Sequence, residues 1–231
     1  MTIGAQVFAG LTLTVVCHGL ASVAAGSTDE PAVFETASVR LEQNVTDEDV
    51  EVVFEVTGGD EGLAKLTVVS PDGRTVVDFR APDGSTMGVR SFKFESPEPQ
   101  DVEGLKQAYP KGTYVFTGKN VLGNELRAQA DLHHALPAPV SFRQPRPGAT
   151  GISIEDLEIA WAPVAEAVAY IVELEQEELN LKLNAQLPSP AVALTVPRNL
   201  LAPGVEYKLS IGTVSSAGNI SVVETTFTTS E

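Results

Sequence analysis

The stretch that decides the fold runs from Leu201 to Tyr207 and reads LAPGVEY. Pro203 and Gly204 favour a tight turn, because proline fixes φ and glycine tolerates positive φ. An alternating segment follows directly, with Leu209 and Ile211 as its apolar members. Alternation of this kind is typical of a strand with one buried face. The stretch therefore predicts a turn that delivers Tyr207 to the start of a core strand.

Similar alternation extends on both sides of this stretch. The alternating apolar positions are Leu157, Ile159 and Trp161, then Tyr170, Val172 and Leu174, then Leu194 and Val196; Thr225, Phe227 and Thr229 follow near the end of the chain. The order and spacing of Trp161, Tyr170 and Tyr207 resemble a fibronectin type III domain over about residues 138–230. The resemblance implies that Trp161 is the core tryptophan of the second strand. It also implies that Tyr207 forms a tyrosine corner, with its hydroxyl bonded to the backbone upstream.

One segment departs from the pattern of that family. Glu177 to Pro188 reads EELNLKLNAQLP and is longer and more irregular than a minimal loop. The pairing of the strand that it contains stays open at this point.

The first half of the chain predicts a sandwich of about seven short strands. The clearest segments are VEVVFEV (50–56), LAKLTVVS (63–70), TVVDFR (75–80), VRSFKFE (89–95), TYVFTG (113–118) and ELRAQADLH (125–133). Two Pro-Asp-Gly turns, at 71–73 and 82–84, separate three of them and are strong hairpin signals. The segment 101–108 fits a short helix or turn that crosses between sheets. An immunoglobulin-like sandwich suits this count, without assignment to a named family.

Composition divides the chain after residue 136. The stretch 135–139 reads ALPAP, and small residues with proline are usual at a domain boundary. The predicted fold class is all-β, with two tandem β-sandwich domains. We expect an immunoglobulin-like domain at 31–136 and a fibronectin type III-like domain at 138–230.

The first 25 residues predict a signal peptide. The apolar run from Val7 to Cys17 has the length of its hydrophobic region, and Val23 and Ala25 fit the small-residue cleavage pattern. No Lys or Arg precedes the run, which departs from that pattern. An uncleaved anchor and an ordinary core strand are the alternatives, although the run is short of the ~20 residues that a spanning helix needs. We therefore expect an exported protein with no membrane span in the mature chain.

Charge and cysteine content exclude several classes of function. The formal net charge is −16, and both halves after residue 25 are acidic. A nucleic-acid or anionic-membrane partner is disfavoured, because such binding depends on Lys and Arg. The one cysteine, Cys17, lies in the predicted signal peptide. Its removal would leave no thiol for a disulfide, a zinc site or a nucleophile.

No constellation of residues predicts a catalytic, cofactor or metal site. His133 and His134 are adjacent on a predicted strand, so they point to opposite faces and do not suit one metal. Asp47 to Asp49 and Asp60-Glu61 could offer oxygens to calcium, but turns favour Asp for backbone reasons. The run Glu173, Glu175 and Glu177 suggests a solvated face or the protection of a sheet edge. Asn44-Val45-Thr46 and Asn219-Ile220-Ser221 are glycosylation sequons in form.

Three functions stay open on the sequence. The first is an exported, non-catalytic structural or interaction module that binds protein or polysaccharide through sheet faces or loops. The second is a carbohydrate-active or other hydrolytic accessory protein, because Asp and Glu are plentiful. The third is a calcium-stabilised, adhesin-like fragment. We expect no enzyme activity and no cofactor.

Overall fold

The structure, a computed structural model, describes residues 32–81, 83, 87–97 and 101–231. The predicted signal peptide and Cys17 lie outside these residues. Within them the chain is nearly all-β, as predicted. The first elements are β1 (Thr36–Asn44), β2 (Asp49–Thr57), β3 (Leu63–Val69), β4 (Thr75–Arg80), β5 (Ser91–Glu95), α1 (Val102–Ala108), β6 (Gly112–Asn120) and β7 (Glu125–Leu132). The remaining strands are β8 (Phe142–Gln144), β9 (Ala149–Ile152), β10 (Glu158–Trp161), β11 (Ala167–Gln176), β12 (Leu181–Pro188), β13 (Ala193–Thr195), β14 (Glu206–Ser215) and β15 (Ile220–Thr229).

The first hydrophobic core lies between strands of the N-terminal half. On one side β2 pairs with β1 and β5, and on the other the order is β4-β3-β6-β7. Side chains at alternate positions of β2 enter this core, including Val52 and Phe54, because successive strand residues face opposite ways. The ring of Phe54 meets that of Tyr114 edge-on at 5.5 Å, and the Tyr114 hydroxyl donates to the carbonyl of Pro110 at 3.2 Å. The predicted sandwich of seven strands is therefore present.

The segment 101–108 forms a short helix, one of the two predicted alternatives. The Asp101 carboxylate accepts a hydrogen bond from the Glu103 amide, which caps helix α1. Leu105 is its buried residue. The helix carries the chain from β5 in one sheet to β6 in the other, so the predicted crossing is confirmed.

The second core contains the residues on which the resemblance rests. The three-stranded sheet β13-β10-β8 lies on one side, and the path β12-β11-β14-β15 lies on the other. Trp161 is 0% exposed, and its ring lies 5.3 Å from that of Tyr170. The Tyr207 hydroxyl accepts a hydrogen bond from the Ala202 amide at 2.7 Å. The predicted core tryptophan and tyrosine corner are both confirmed.

The irregular segment at 177–188 contains a regular strand. Residues 177–180 form the turn, with Asn180 at a φ of 48°. β12 then pairs antiparallel with β11, from Leu181 opposite Gln176 to Pro188 opposite Ala169. Leu181, Leu183 and Leu187 pack against the second core, and polar residues alternate with them. The irregular segment thus consists of a turn and a regular edge strand.

A parallel strand pair joins the two cores into one sheet. Glu42 to Asn44 of β1 lie opposite Ile220 to Val222 of β15. The pairing creates the continuous order β12-β11-β14-β15-β1-β2-β5. The Val45 amide extends it by donating to the Val222 carbonyl at 2.9 Å. The predicted domain ranges 31–136 and 138–230 therefore stay predictions, since a shared sheet crosses from one core to the other.

The junction between the cores is tied together by Asn219. Its Oδ1 accepts from the Leu41 amide at 2.9 Å, and its Nδ2 donates to the carbonyls of His133 and Ala135, each at 2.8 Å. Asn219 is 0% exposed. Ser221 adds a hydrogen bond from its hydroxyl to the Pro137 carbonyl at 2.6 Å. One buried carboxamide thus connects β1, the end of the first half and the linker.

Candidate functional site

The outer face of the continuous sheet forms a groove that spans both halves of the chain. Its volume is ≈ 580 Å³, and residues from β12, β11, β14, β15, β1, β2 and β5 line it. A second cavity of ≈ 440 Å³ shares five residues with it, Arg40, Glu55, Ile171, Gln186 and Ile220, and extends the groove to β7 and to the turn between β14 and β15. The groove is a concave surface, and concave surfaces are where ligands bind by preference.

The middle of the groove has an apolar floor. Gly212 lies on β14 between Ile171 of β11 and Val222 of β15. A Cβ at position 212 would lie 3.1 Å from Ile220 Cγ2, closer than side chains normally approach. Because Gly212 has no side chain, nothing projects from this position into the groove.

The part of the groove over β1, β2 and β5 is rich in carboxylates. The Arg40 guanidinium pairs with Glu42 and Glu55, each at 3.2 Å, and its side chain is 15% exposed. Lys93 pairs with Glu95 on the neighbouring strand β5. Both cations are therefore occupied by carboxylates of the protein itself.

Glu51 lies next to these pairs, opposite Glu42 in the strand register. Burial is the main cause that raises the pKa of Glu51 from the ordinary 4.5 to about 7, and the charges of Glu95 and Glu42 contribute to the same rise. Val53, two residues along the same face, is 0% exposed. Water is thus partly excluded here, and the charge of the groove changes near neutral pH.

The part of the groove over β11, β14 and β15 also pairs its charges internally. Lys182 Nζ lies 2.6 Å from Glu175 and 3.7 Å from Glu173. Lys208 lies 2.8 Å from Glu224. Burial raises the pKa of Glu224, but the hydrogen bond and charge of Lys208 outweigh it, and the pKa falls below the ordinary value.

The role expected for Glu173 and Glu175 needs a correction. Edge protection was one prediction for this run, but β11 is an inner strand with β12 on one side and β14 on the other. Glu173 lines the groove, and both carboxylates pair with Lys182. Glu177 is exposed in the turn that follows.

The acidic turns are explained by hydrogen bonds within the chain. Between β1 and β2, Asp47 accepts from the Asn44 side chain at 2.7 Å, and Asp49 accepts from the Asn44 amide at 3.1 Å. Asp60 pairs with Arg90 at 3.4 Å. Across residues 32–231, as far as they are described, no three His, Cys, Asp or Glu side chains are placed to hold a metal ion.

The histidines and the second sequon take structural positions. His133 is exposed, whereas His134 is half-buried with Nε2 2.9 Å from the Tyr109 carbonyl oxygen. The carboxamide of Asn219 is buried and fully bonded, so the folded chain does not offer this sequon for glycosylation. Within the described residues, no helix has the length and apolar character needed to cross a membrane.

Comparison with known proteins gives likeness in fold and none in sequence. No protein-family profile matches the chain, and no curated protein matches it. The fibronectin(III)-like modules of CbhA from Clostridium thermocellum share 9% identity, with 86% of this chain and 93% of that chain covered and a TM-score of 0.35. A segment of two fibronectin type III domains from chicken tenascin shares 16% identity over 86% of this chain and 99% of that chain, with a TM-score of 0.33.

A third solved structure is a tetra-tandem repeat from the extending region of a large adhesion protein. It shares 15% identity over 84% of this chain and 49% of that chain, with a TM-score of 0.30. At such identities the likeness concerns the fold alone. The buried Trp161 and the hydrogen bond from the Ala202 amide to the Tyr207 hydroxyl, described above, are the features in which the second half resembles a fibronectin type III domain.

Sequence reasoning missed the groove as a site. Its residues come from seven strands, and the groove forms only where β1 pairs with β15. One signal was available in the sequence: Glu42, Glu51 and Glu55 alternate with apolar residues on two neighbouring strands. That pattern indicates a polar outer face, without indicating that the face is concave.

Proposed function

We propose that this protein is an exported, non-catalytic interaction module that binds a protein or polysaccharide partner in the groove. The observation that carries the proposal is the continuous sheet, whose outer face is polar, concave and formed from both halves of the chain. We also propose that the two cores correspond to domains at 31–136 and 138–230, preceded by a signal peptide at 1–25.

The chemistry of the groove favours binding over catalysis. Arg40, Lys93 and Lys182 each pair with carboxylates, so these cations stabilise the face and are not poised to donate or accept protons. The central floor consists of Gly212 and aliphatic side chains, and such a surface supplies contact area with no reacting group. A polar rim around an apolar floor is the usual composition of a binding surface.

A pair of variants tests the groove as the binding surface. Ser210→Arg places a long side chain on the middle strand, where Glu173 and Glu224 lie on either side of it. Thr67→Arg is the matched control, because Thr67 lies on β3 in the other sheet of the first half, opposite Asp78. Binding is screened on a glycan array and on immobilised extracellular proteins of the organism that produces this chain. Any ligand found is then titrated.

We expect Ser210→Arg to weaken binding of that ligand at least tenfold and Thr67→Arg to leave it within twofold. Equal binding by both variants would refute the groove as the site. Hydrolysis of an arrayed glycan that disappears in Glu51→Gln would refute the non-catalytic assignment, and would favour the hydrolytic accessory protein instead.

A further inference from the structure

β12 is a long and regular strand at one end of the eight-stranded sheet. It pairs with β11 over eight residues, from Leu181 to Pro188, without a shift in register. The other side of β12 has no neighbouring strand in the described chain. A regular edge of this length is a template for pairing with another extended chain.

The direction of its backbone groups follows from one hydrogen bond. The Ser189 amide donates to the Val168 carbonyl at 3.0 Å, so Ser189 faces β11. Antiparallel strands alternate the side to which their backbone groups point. The amides and carbonyls of Lys182, Asn184 and Gln186 therefore point away from β11. None of these three residues makes another backbone hydrogen bond with the described chain.

The other sheet edges are shorter or protected. β4 has a register irregularity against β3 and carries charges at Asp78 and Arg80. The amide of Ala32 donates to the Glu125 carbonyl and its own carbonyl accepts from the Arg127 amide, which partly covers β7. The remaining edge strands are short: β5 has five residues, β9 has four, and β8 and β13 have three each. β12 is thus the edge in the described chain that is best suited to accept a strand.

The two faces of β12 define the chemistry of the strand that would fit. The side chains of Lys182, Asn184 and Gln186 line the groove, beside Glu173 on β11. Lys182 is shared by two carboxylates, Glu173 and Glu175, so this rim retains a net negative charge. Leu181, Leu183 and Leu187 are half-buried against the second core on the opposite face. An added strand would place alternate residues beside the acidic rim and beside these leucines.

We propose that β12 docks an extended segment of a partner protein in which basic and apolar side chains alternate. Main-chain hydrogen bonds to Lys182, Asn184 and Gln186 hold the segment, and its two faces set the specificity, as in other cases of strand addition. A second copy of this chain fits less well, because each copy has a formal charge of −16 and the same acidic face. This inference rests on the proposed function as an interaction module and names the class of partner.

The probe is a decapeptide of alternating lysine and valine with a fluorescein label on its N-terminus and an amidated C-terminus, titrated by fluorescence anisotropy at about 50 and about 300 mM salt, below and above the range in which surface charges are strongly screened. Its control has the same sequence with an N-methyl group on every peptide bond, which keeps the charge and removes the backbone donors from both edges of the peptide. We expect the unmodified peptide to bind at both salt concentrations and the methylated peptide to bind at least tenfold more weakly. Equal binding of the two peptides, or no binding, would overturn the proposal.

Two variants at one position place the peptide on the edge. Asn184→Pro removes the outward amide and adds a ring that obstructs an incoming strand, whereas Asn184→Ala keeps the amide. We expect a loss of at least tenfold for Asn184→Pro and a change within twofold for Asn184→Ala. Equal affinity of both variants would overturn the assignment to β12, and the methylated peptide decides the question if Asn184→Pro does not fold.

Two further readouts separate this inference from its alternatives. Peptide binding that survives Ser210→Arg but not Asn184→Pro supports the edge even where the groove has no glycan or protein ligand of its own. Sedimentation equilibrium of the protein alone tests self-pairing. A concentration-dependent dimer that Asn184→Pro abolishes would overturn the choice of partner in favour of a second copy.

Discussion

Replacing Asn219 with alanine tests whether one buried carboxamide couples the two halves of the chain. The substitution removes hydrogen bonds to the Leu41 amide and to the carbonyls of His133 and Ala135. Each hydrogen bond contributes ~1 kcal/mol net, and an unpaired buried amide costs more. Leu41 is 0% exposed, so its amide has no access to water. We expect the free energy of unfolding to fall by about 3 kcal/mol.

Urea unfolding followed by two signals measures this effect. Trp161 is the single tryptophan and lies in the second core, so its fluorescence reports that half alone. Far-ultraviolet circular dichroism reports the strands of both halves. We expect the two curves to coincide in the wild type, and to separate in Asn219→Ala because the junction no longer couples the cores.

Two control variants identify the cause of the loss. Asn219→Asp keeps the acceptor for Leu41 and nearly the same volume, but turns a carboxylate oxygen toward two carbonyls. It should therefore destabilise the protein at neutral pH about as much as alanine does. Asn184→Ala, at an exposed position on β12, should change stability by less than ~0.5 kcal/mol. A loss below ~0.5 kcal/mol for Asn219→Ala, with coincident curves, would refute the coupling role.

Three other predictions concern Glu51, Tyr207 and the acidic turn between β1 and β2. The pKa of Glu51 is raised to about 7 in the folded chain, so the folded state binds this proton more tightly than the unfolded state does. The contribution of Glu51 to stability is therefore fully present below the ordinary pKa of 4.5 and is lost as the pH rises through 7. Glu51→Gln should flatten this pH dependence. It should also stabilise the protein at pH 8, by about 1 kcal/mol, a value smaller than the full pKa shift implies because Glu51 is partly solvated. Denaturation at pH 5 and pH 8 measures it, and an unchanged pH profile would contradict the burial of Glu51. Tyr207→Phe leaves the Ala202 amide without its 2.7 Å partner and should cost about 1.5 kcal/mol in the Trp161 fluorescence transition; no change would show that water replaces the hydroxyl. The carboxylates of Asp47 and Asp49 already accept hydrogen bonds from Asn44, so we expect EDTA to leave the melting temperature unchanged, and a drop that calcium reverses would favour the adhesin-like alternative.

The sequence predicted those elements whose signal is local. Trp161 and Tyr207 were assigned their roles from the resemblance to a fibronectin type III domain, and the structure confirms both. The turn that ends at Tyr207 needs Pro203 and Gly204, and Gly204 has a φ of 68°. Alternation and turn residues are properties of a few neighbouring positions, so they can be interpreted without knowing which strands become partners.

The sequence could not predict features that depend on distant partners. β1 was not assigned, although Val39 and Leu41 alternate with charged residues, because Arg40 and Glu42 make the segment resemble a polar loop. Its partner β15 lies 178 residues away along the chain, from Leu41 to Asn219. In the sequence alone, Asn219 could be identified only as part of a glycosylation sequon, because its partners Leu41, His133 and Ala135 are distant along the chain. The groove follows from the same long-range pairing, which no local pattern indicates.

The parallel pairing of β1 with β15 also determines how the protein would carry tension. A force applied between the start of β1 and the end of β15 pulls two parallel strands in opposite directions along their axes. Their hydrogen bonds at residues 42–44 and 220–222 are then loaded together in shear, and do not open one after another. Because both strands reach the junction directly, the load passes from one to the other without crossing either hydrophobic core. A chain stretched between two anchored ends would thus transmit force through this short ladder while both cores stay folded.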